Sequence, residues 1–197
     1  LLKDGSLQEA LKLMDKAIDE LKSLGARVEE VKVRTLHIAT ISNAVIYYNE
    51  FWAAHKSDAA WVLKNCAAQR RARIYLGILT NSADYIQAQR VRSRVRAEFA
   101  EVFRKVDCLA LPCQTGPAPL LKDMGPIDTL FKHVVPEYHG PFNLVGLPTL
   151  SVPCGFSENN LPIALQLVGK PFDELTILRA GYTYQQHMRW FERKPPI

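Results

Sequence analysis

The chain has 197 residues, a size typical of one domain, and 48% of them are apolar, which is enough for a packed core and excludes a disordered or fibrous protein. The net charge is +5, but residues 69–105 hold nine basic and three acidic side chains, so the positive excess is local. No apolar run reaches the roughly 18 to 20 residues that span a bilayer, and the N-terminal segment lacks the order of a signal peptide. We therefore expect a cytoplasmic protein with no membrane partner.

The cysteines and the glycine pattern indicate no bound group. Cys66, Cys108, Cys113 and Cys154 form no CxxC pair and are too sparse for a disulfide framework. We expect buried thiols in a reducing compartment and no metal site. Neither a GxGxxG motif nor a phosphate-binding P-loop is present, so the sequence predicts no nucleotide and no other cofactor.

The first half of the chain reads as mainly helical. Apolar residues at helical spacing predict a helix from Ser6 that Gly25 ends, and β-branched residues over 26–33 then predict a strand. Residues 36–68 are apolar and aromatic without proline or glycine, which favours helices divided near 56–58. A stripe spaced by three or four residues predicts a long helix over 83–106.

The second half supplies most of the predicted strands. An apolar run over 107–112 ends at a proline and reads as a strand buried on both faces, as in parallel sheets. Residues 113–148 are rich in proline and glycine, which predicts a long ordered loop region. Strands are predicted over 150–153 and 163–168, and a helix capped by Asp173, with Phe172 and Ile177 as a hydrophobic staple, runs to about Trp190. Four strands make a small sheet for this much helix.

A search for reactive and ligand-binding side chains gives few candidates. No serine lies in a glycine elbow, and Cys113 and Cys154 are better explained as small buried hydrophobes than as nucleophiles. An arginine cluster could grip nucleic-acid phosphates, but its helical spacing disperses the charges over a solvated face; its members are Arg70, Arg71, Arg73, Arg90, Arg92, Arg94 and Arg96. Among the histidines, only His139 lies in a setting that suggests a function.

Two stretches carry a family resemblance. Residues 138–156 read YHGPFNLVGLPTLSVPCGF and residues 161–170 read LPIALQLVGK, and both resemble the C-terminal part of the amidase signature family. The resemblance implies an α/β fold: the C-terminal portion of the amidase signature fold, with a mixed twisted β-sheet flanked by helices on both faces. It further implies that residues 1–197 form the C-terminal segment of a single amidase domain.

The resemblance also implies a reaction. Family members hydrolyse the carbon–nitrogen bond of amides through a serine acyl-enzyme, using a serine, a bridging cis-serine and a lysine. Those residues and the glycine- and serine-rich oxyanion loop lie in the N-terminal half of the family's fold, and this chain has no such loop. The chain begins with Leu1 rather than methionine, which agrees with a segment of a longer protein. We expect no catalytic residue in this chain and predict that the segment alone is inactive.

Four residues are the substrate-binding candidates that the resemblance implies. The loop over 133–143 and the helix around Arg73 correspond to parts that approach the acyl portion of the substrate, and the candidates are Arg73, His139, Phe142 and Asn143. Arg73 resembles the arginine with which the family's tRNA-dependent amidotransferases hold their substrate's carboxylate. The chain departs from that pattern at Pro136, where an acidic residue is usual, and at His139, where a threonine is usual. A general amidase with another acyl preference therefore fits better.

Other interpretations stay open at this point. Arg73 could be a surface charge, and Phe142 and Asn143 could serve loop packing alone. The chain could be a noncatalytic fragment used as a binding module, or a basic module that binds nucleic acid. If the amidase interpretation holds, its partners are a small-molecule amide, the missing N-terminal half and, as one option, a second copy in a homodimer.

Overall fold

The computed structural model describes residues 6–120, 122 and 138–194. The chain divides into two compact units, one formed by residues 1–32, 100–118 and 146–197, the other by residues 33–99 and 119–145. The elements in chain order are α1 (Ser6–Ser23), α2 (Leu36–His55), α3 (Ala59–Asn65), α4 (Ala68–Leu79), α5 (Ser82–Val102), β1 (Cys108–Pro112), α6 (Gly140–Val145), β2 (Thr149–Phe156), β3 (Pro162–Gly169), α7 (Glu174–Met188) and a 3₁₀ turn (Trp190–Glu192). The α/β class that the sequence predicts is confirmed.

The first unit is built on a three-stranded sheet. Its strand order is β1-β3-β2, and both neighbouring pairs are antiparallel. Ala110 of β1 and Leu150 of β2 both face Leu167 of the central strand. The parallel interpretation of 107–112 was therefore wrong, because an apolar run does not by itself distinguish the two directions. Every residue of β1 is partly buried.

The core of the first unit lies on one face of this sheet. Val152, Leu165 and Leu167 alternate with residues of the opposite face, as the two-residue period of a strand requires. They pack against Met14 of α1 and Ile177 of α7. Full burial of such side chains stabilises the fold by about 1.5 to 3 kcal/mol each.

Helix α1 ends as its sequence predicts. Gly25 has a φ of +96°, a left-handed conformation that glycine adopts without a steric cost. Its N–H bonds to the carbonyl of Lys22, and the N–H of Ala26 bonds to that of Leu21, which is the Schellman arrangement. The apolar stripe is rotated relative to the predicted one, because Leu11 is 42% exposed and the buried side chains on α1 include Ala10, Met14 and Ala17.

The strand predicted over 26–33 does not form. These residues have no regular secondary structure, and Val28 is 46% exposed. Within the described part of the chain no strand pairs with them. An extended segment becomes a strand only when a neighbour binds its backbone N–H and C=O groups, so β-branched composition was not sufficient.

The last strands and helix match the prediction more closely than the details at their ends. Strands β2 and β3 are longer than predicted, and a turn with Asn160 at φ +58° connects them. Asp173 precedes α7, but its carboxylate accepts a bond from the hydroxyl of Thr176 at 2.8 Å rather than capping a backbone N–H. The predicted staple was wrong: Phe172 adopts φ +62° and is 95% exposed, while Ile177 packs beside Gly169.

The second unit consists of helices. The predicted division of residues 36–68 is confirmed, since α2 ends at His55 and α3 begins at Ala59. Helix α5 matches the predicted long helix and buries Val95 and Phe99. The predicted loop region 113–148 contains a short helix, α6, in its described part. Among the described helices none combines the length and the apolar content needed to cross a lipid bilayer.

Candidate functional site

Arg73 is held against α2 by the close approach of two helices. At Gly77, one turn further along α4, an added Cβ would lie 2.4 Å from the carbonyl oxygen of Tyr48 and 2.5 Å from Cβ of Trp52. Only a residue without a side chain permits this approach. The guanidinium carbon of Arg73 consequently lies 5.5 Å from the ring centre of Tyr47 and 6.0 Å from that of Phe51.

The charge on Arg73 rests on aromatic rings. A guanidinium within about 6 Å of a ring centre is attracted to the ring face. None of the ion pairs among the described residues involves Arg73. Burial raises the pKa of Tyr48, and the Arg73 charge acts against that rise. Arg73 is therefore a positioned cation, and we find no described carboxylate that neutralises it.

The other three candidates lie together at α6. The carbonyl oxygen of His139 accepts hydrogen bonds from the N–H groups of Phe142, at 3.1 Å, and Asn143, at 3.0 Å, and so begins the helix. Phe142 is 2% exposed, and its ring centre lies 5.6 Å from that of Phe99. Asn143 is exposed, and His139 is half-buried. The packing interpretation of Phe142 thus has direct support, whereas Asn143 points its side chain away from the core.

Helix α6 is fastened at both ends. A Cβ added to Gly140 would lie 3.4 Å from Cα of Thr40, so the start of α6 lies close against α2. At its other end, Nε of Arg96 donates a hydrogen bond to the carbonyl oxygen of Val145 at 3.2 Å. A cation at a helix C-terminus also favours the helix dipole. One member of the arginine cluster therefore has a structural task.

Helix α2 links the two parts of the candidate site. Thr40 contacts α6 and Tyr47 contacts Arg73. Seven residues of α-helix separate these positions by about 10 Å on nearly the same side. The structure brings His139, Phe142 and Asn143 together, and it places Arg73 two helical turns away along α2 without a described contact to any of them.

The start of α2 is fixed by Glu98 of α5. Its carboxylate accepts bonds from the backbone N–H of Arg34 and from Thr35, whose N–H and hydroxyl lie 3.0 Å and 2.5 Å away. Burial acts to raise the pKa of Glu98, but the bonds from Thr35 and Arg34 and the charge of Arg34 outweigh it, so this pKa lies below its usual value. Glu98 thereby satisfies amides at a helix N-terminus that has no cap of its own.

We expect Glu98→Gln to lower the free energy of unfolding by about 1 to 2 kcal/mol at neutral pH, because a neutral amide is a weaker acceptor than a carboxylate. Since the folded-state pKa is depressed, the contribution is complete above the unfolded pKa and is lost as the pH falls through the folded one. Urea titrations at several pH values measure this. Glu101→Gln is the control, because Glu101 makes only an exposed pair with Arg104; an equal effect of both substitutions would contradict the assignment.

The remaining arginines do not form one patch. Arg70, Arg71, Arg90 and Arg94 are exposed, whereas the Nε atom of Arg92 is buried and has no hydrogen-bond partner among the described residues. Arg96 is engaged with α6. The dispersed arrangement predicted from the helical spacing agrees with these environments, and a phosphate-binding surface is not apparent.

The thiols and serines of the sheet have structural environments. Burial raises the pKa of Cys154 to about 11, and a neutral thiol is a poor nucleophile. Cys113 Sγ lies 3.2 Å from Ser151 Oγ. None of the four cysteines is disulfide-bonded, and Cys154 is buried while the others are partly buried. In the described ranges no group of three or more His, Cys, Asp or Glu side chains is placed to hold a metal ion.

Sequence reasoning missed the residues that position Arg73. Tyr47 and Phe51 are four residues apart, so they lie on one side of a helix, and Gly77 interrupts an otherwise strong helix former. Both signals were present, but neither indicates which helices meet. Glu98 was missed because its partners, Arg34 and Thr35, are more than 60 residues away in the chain.

Comparison with known proteins identifies the class. The family model described as Amidase matches residues 3–178. The chain is 34% identical to the first subunit of a glutamyl-tRNA(Gln) amidotransferase from Methanosarcina mazei, over 91% of this chain and 42% of that protein. It is also 34% identical to an amidase of Pseudomonas putida, over 92% of this chain and 40% of that protein. The chain belongs to the amidase family.

Solved structures agree with this assignment. A crystal structure of an amidase superposes with a TM-score of 0.80 and 26% identity, covering 91% of this chain and 42% of that one. The corresponding glutamyl-tRNA(Gln) amidotransferase subunit of Thermotoga maritima superposes with a TM-score of 0.68 and 28% identity, covering 91% and 39%. The chain thus spans about two fifths of the length of the relatives that match nearly all of it.

Proposed function

We propose that this chain is the C-terminal segment of an amidase domain that hydrolyses the carbon–nitrogen bond of an amide, giving the acid and ammonia or an amine. The chain supplies one wall of the substrate pocket and a flank of the sheet. The nucleophile comes from outside these 197 residues. The observation that carries the proposal is the family match over residues 3–178, together with a cation, Arg73, that stands on two rings without a described counter-charge.

The reaction that the family resemblance implies proceeds in two steps. A lysine takes the proton of the bridging serine, which takes that of the nucleophilic serine, and the serine oxygen bonds to the amide carbon. The carbon–nitrogen bond breaks, and the nitrogen leaves with a proton as ammonia or amine. Water then attacks the ester, releases the acid and restores the serine. Described residues of this chain take part only by binding and orienting the acyl portion.

Arg73 is proposed to bind a carboxylate carried by the acyl portion. A guanidinium presents its N–H groups as a planar fork that matches a carboxylate, and the rings of Tyr47 and Phe51 hold that plane in place. His139 and Asn143 are proposed to make polar contacts with the substrate near the start of α6. Phe142 serves the site indirectly, because its buried ring fixes α6.

The proposal favours a general amidase over a tRNA-dependent amidotransferase. Relatives with both names match the chain at similar identity. The chain departs from the amidotransferase pattern at His139 and at Pro136, of which the second lies outside the described residues. The proposed partners are a small amide, the rest of the amidase domain and, as an option, a second copy. The unpaired cysteines support a reducing compartment such as the cytoplasm.

Substitution of Arg73 tests the binding role. In the complete protein we expect Arg73→Ala to raise KM for succinamate about 10- to 100-fold, the effect of losing a charge-assisted hydrogen-bonded pair. Hydrolysis of butyramide, which has similar size and no carboxylate, should change less than about twofold. Steady-state ammonia release measures both reactions, and Arg73→Lys should restore part of the binding because it keeps the charge without the fork.

Arg71→Ala is the matched control, because Arg71 is an exposed arginine on the same helix without a described ring contact. It should leave both substrates unaffected. Equal losses for succinamate and butyramide after Arg73→Ala would show that Arg73 is structural, and hydrolysis of no amide by the parent protein would refute the proposed function itself.

A further inference from the structure

The first unit contains a cavity whose lining residues are distant in sequence from Arg73. The cavity has a volume of about 370 Å³ and lies between α1, α7 and β2. This volume falls in the range of small-molecule sites. Its apolar lining includes Leu13, Ala17 and Met188, and its polar lining includes Cys154, Tyr184 and Trp190. All of these residues belong to one unit.

Two hydrogen-bond donors at this cavity lack partners. The hydroxyl of Tyr184 and the indole N–H of Trp190 are buried and have no hydrogen-bond partner among the described residues. Tyr184 as a whole is 0% exposed. Its hydroxyl is influenced by Cys154 and Glu20, which both line the cavity, so the hydroxyl lies on the cavity side of the ring. Leaving a buried donor unsatisfied costs about 1 to 3 kcal/mol.

The interior of the cavity is neutral at physiological pH. Burial, together with Cys154 and Glu20, raises the pKa of Tyr184 to about 12, and Trp190 acts in the opposite direction. Burial raises the pKa of Cys154 to about 11. Both groups therefore keep their protons, and the Tyr184 hydroxyl remains able to donate. An indole nitrogen can only donate.

The charges at the rim select against an anion. Asp19 and Glu20 line the cavity, and only Lys16 opposes them there. Asp19 is paired with Lys22 at 2.8 Å, and Glu20 contacts His187 at 3.1 Å. A negatively charged ligand would meet this acidic rim and lose its hydration in a largely apolar space. A neutral acceptor meets neither cost.

We propose that this cavity binds a small neutral molecule with an apolar body and one carbonyl oxygen, which accepts hydrogen bonds from Tyr184 and Trp190. Two convergent donors in an apolar pocket are the arrangement by which small-molecule sites fix the orientation of a ligand. The proposal is independent of the proposed function, because the cavity belongs to the first unit and the Arg73 site to the second. Ordered water, which also satisfies buried donors, is the competing occupant.

Acetophenone and ethylbenzene are the probes, because they have nearly the same shape and only the ketone carries an acceptor. A ketone is also not a substrate for amide hydrolysis. The complete protein is labelled with 5-fluorotryptophan, and the Trp190 resonance is assigned from Trp190→Phe. We expect acetophenone to shift that resonance saturably and to bind about tenfold more tightly than ethylbenzene, the effect of one net hydrogen bond.

Variants of two tyrosines on the same helix locate the interaction. Tyr184→Phe removes the buried hydroxyl and should weaken acetophenone binding about tenfold. Tyr182→Phe is the control, because Tyr182 is 65% exposed, and it should leave the affinity unchanged. Met188→Trp should fill the cavity and abolish binding. No saturable shift up to the solubility limit, equal binding of the two probes, or unchanged affinity in Tyr184→Phe would overturn the proposal and leave water as the occupant.

Discussion

Replacing Phe142 by alanine is expected to lower the free energy of unfolding by about 3 to 5 kcal/mol, the cost of removing a buried aromatic side chain and leaving a cavity. The ring is 2% exposed and packs at 5.6 Å from Phe99. It also anchors a helix of only six residues, which has little intrinsic stability. Urea unfolding followed by far-ultraviolet circular dichroism measures the loss.

Asn143→Ala is the matched control for Phe142. Asn143 is the next residue on the same short helix and is exposed, so its truncation should change stability by no more than about 0.5 kcal/mol. Amide hydrolysis should fall in Asn143→Ala if Asn143 contacts substrate as proposed. A loss below about 1 kcal/mol for Phe142→Ala would contradict the placement of its ring in the core.

Gly77→Ala is expected to destabilise the protein by about 2 to 3 kcal/mol, although alanine is the better helix former. The added Cβ would lie 2.4 Å from a backbone carbonyl oxygen and 2.5 Å from Cβ of Trp52. Neither neighbour is the flexible end of a side chain, so α2 and α4 must move apart. Because Arg73 is carried on α4, binding of succinamate should weaken in the same variant.

Gly140→Ala provides the comparison for Gly77, since both are buried helical glycines of the second unit. A Cβ at Gly140 meets Thr40 at 3.4 Å, which is ordinary van der Waals contact. We expect a change within about 0.5 kcal/mol. If thermal unfolding shows Gly77→Ala to be as stable as Gly140→Ala, the close approach of α2 and α4 is incorrect.

The helices and the two hairpin strands could be predicted because local patterns determine them. The Gly25 termination, the division near residue 56 and the length of α5 all follow from spacing and from stop signals within a few residues. The family membership could be predicted from residues 138–170, since that run of glycine, proline and apolar positions is long and specific.

Elements that depend on a distant partner could not be predicted in the same way. Residues 26–33 have the composition of a strand, but no described neighbour pairs with them. The direction of β1 depends on β3, which lies more than 50 residues further along. The failure of the Phe172 staple has a local cause, the left-handed backbone of Phe172, which the sequence of a non-glycine residue does not signal.

The candidate site was predictable in its residues and not in its geometry. Arg73, His139, Phe142 and Asn143 came from the family resemblance, and the structure divides them by environment: a cation on two rings, a half-buried histidine, a core ring and an exposed amide. Those environments arise from the packing of α2 against α4 and α6, and helix packing depends on contacts that sequence spacing does not specify.

The most direct test of the central claim is fluorophosphonate labelling of the complete, active protein, followed by peptide mapping of the modified serine. A serine hydrolase is modified at its nucleophile and loses activity in proportion. We predict one labelled serine outside these 197 residues and parallel loss of amide hydrolysis. A label on a residue within the chain, or full amide hydrolysis by an unlabelled protein, would contradict the account.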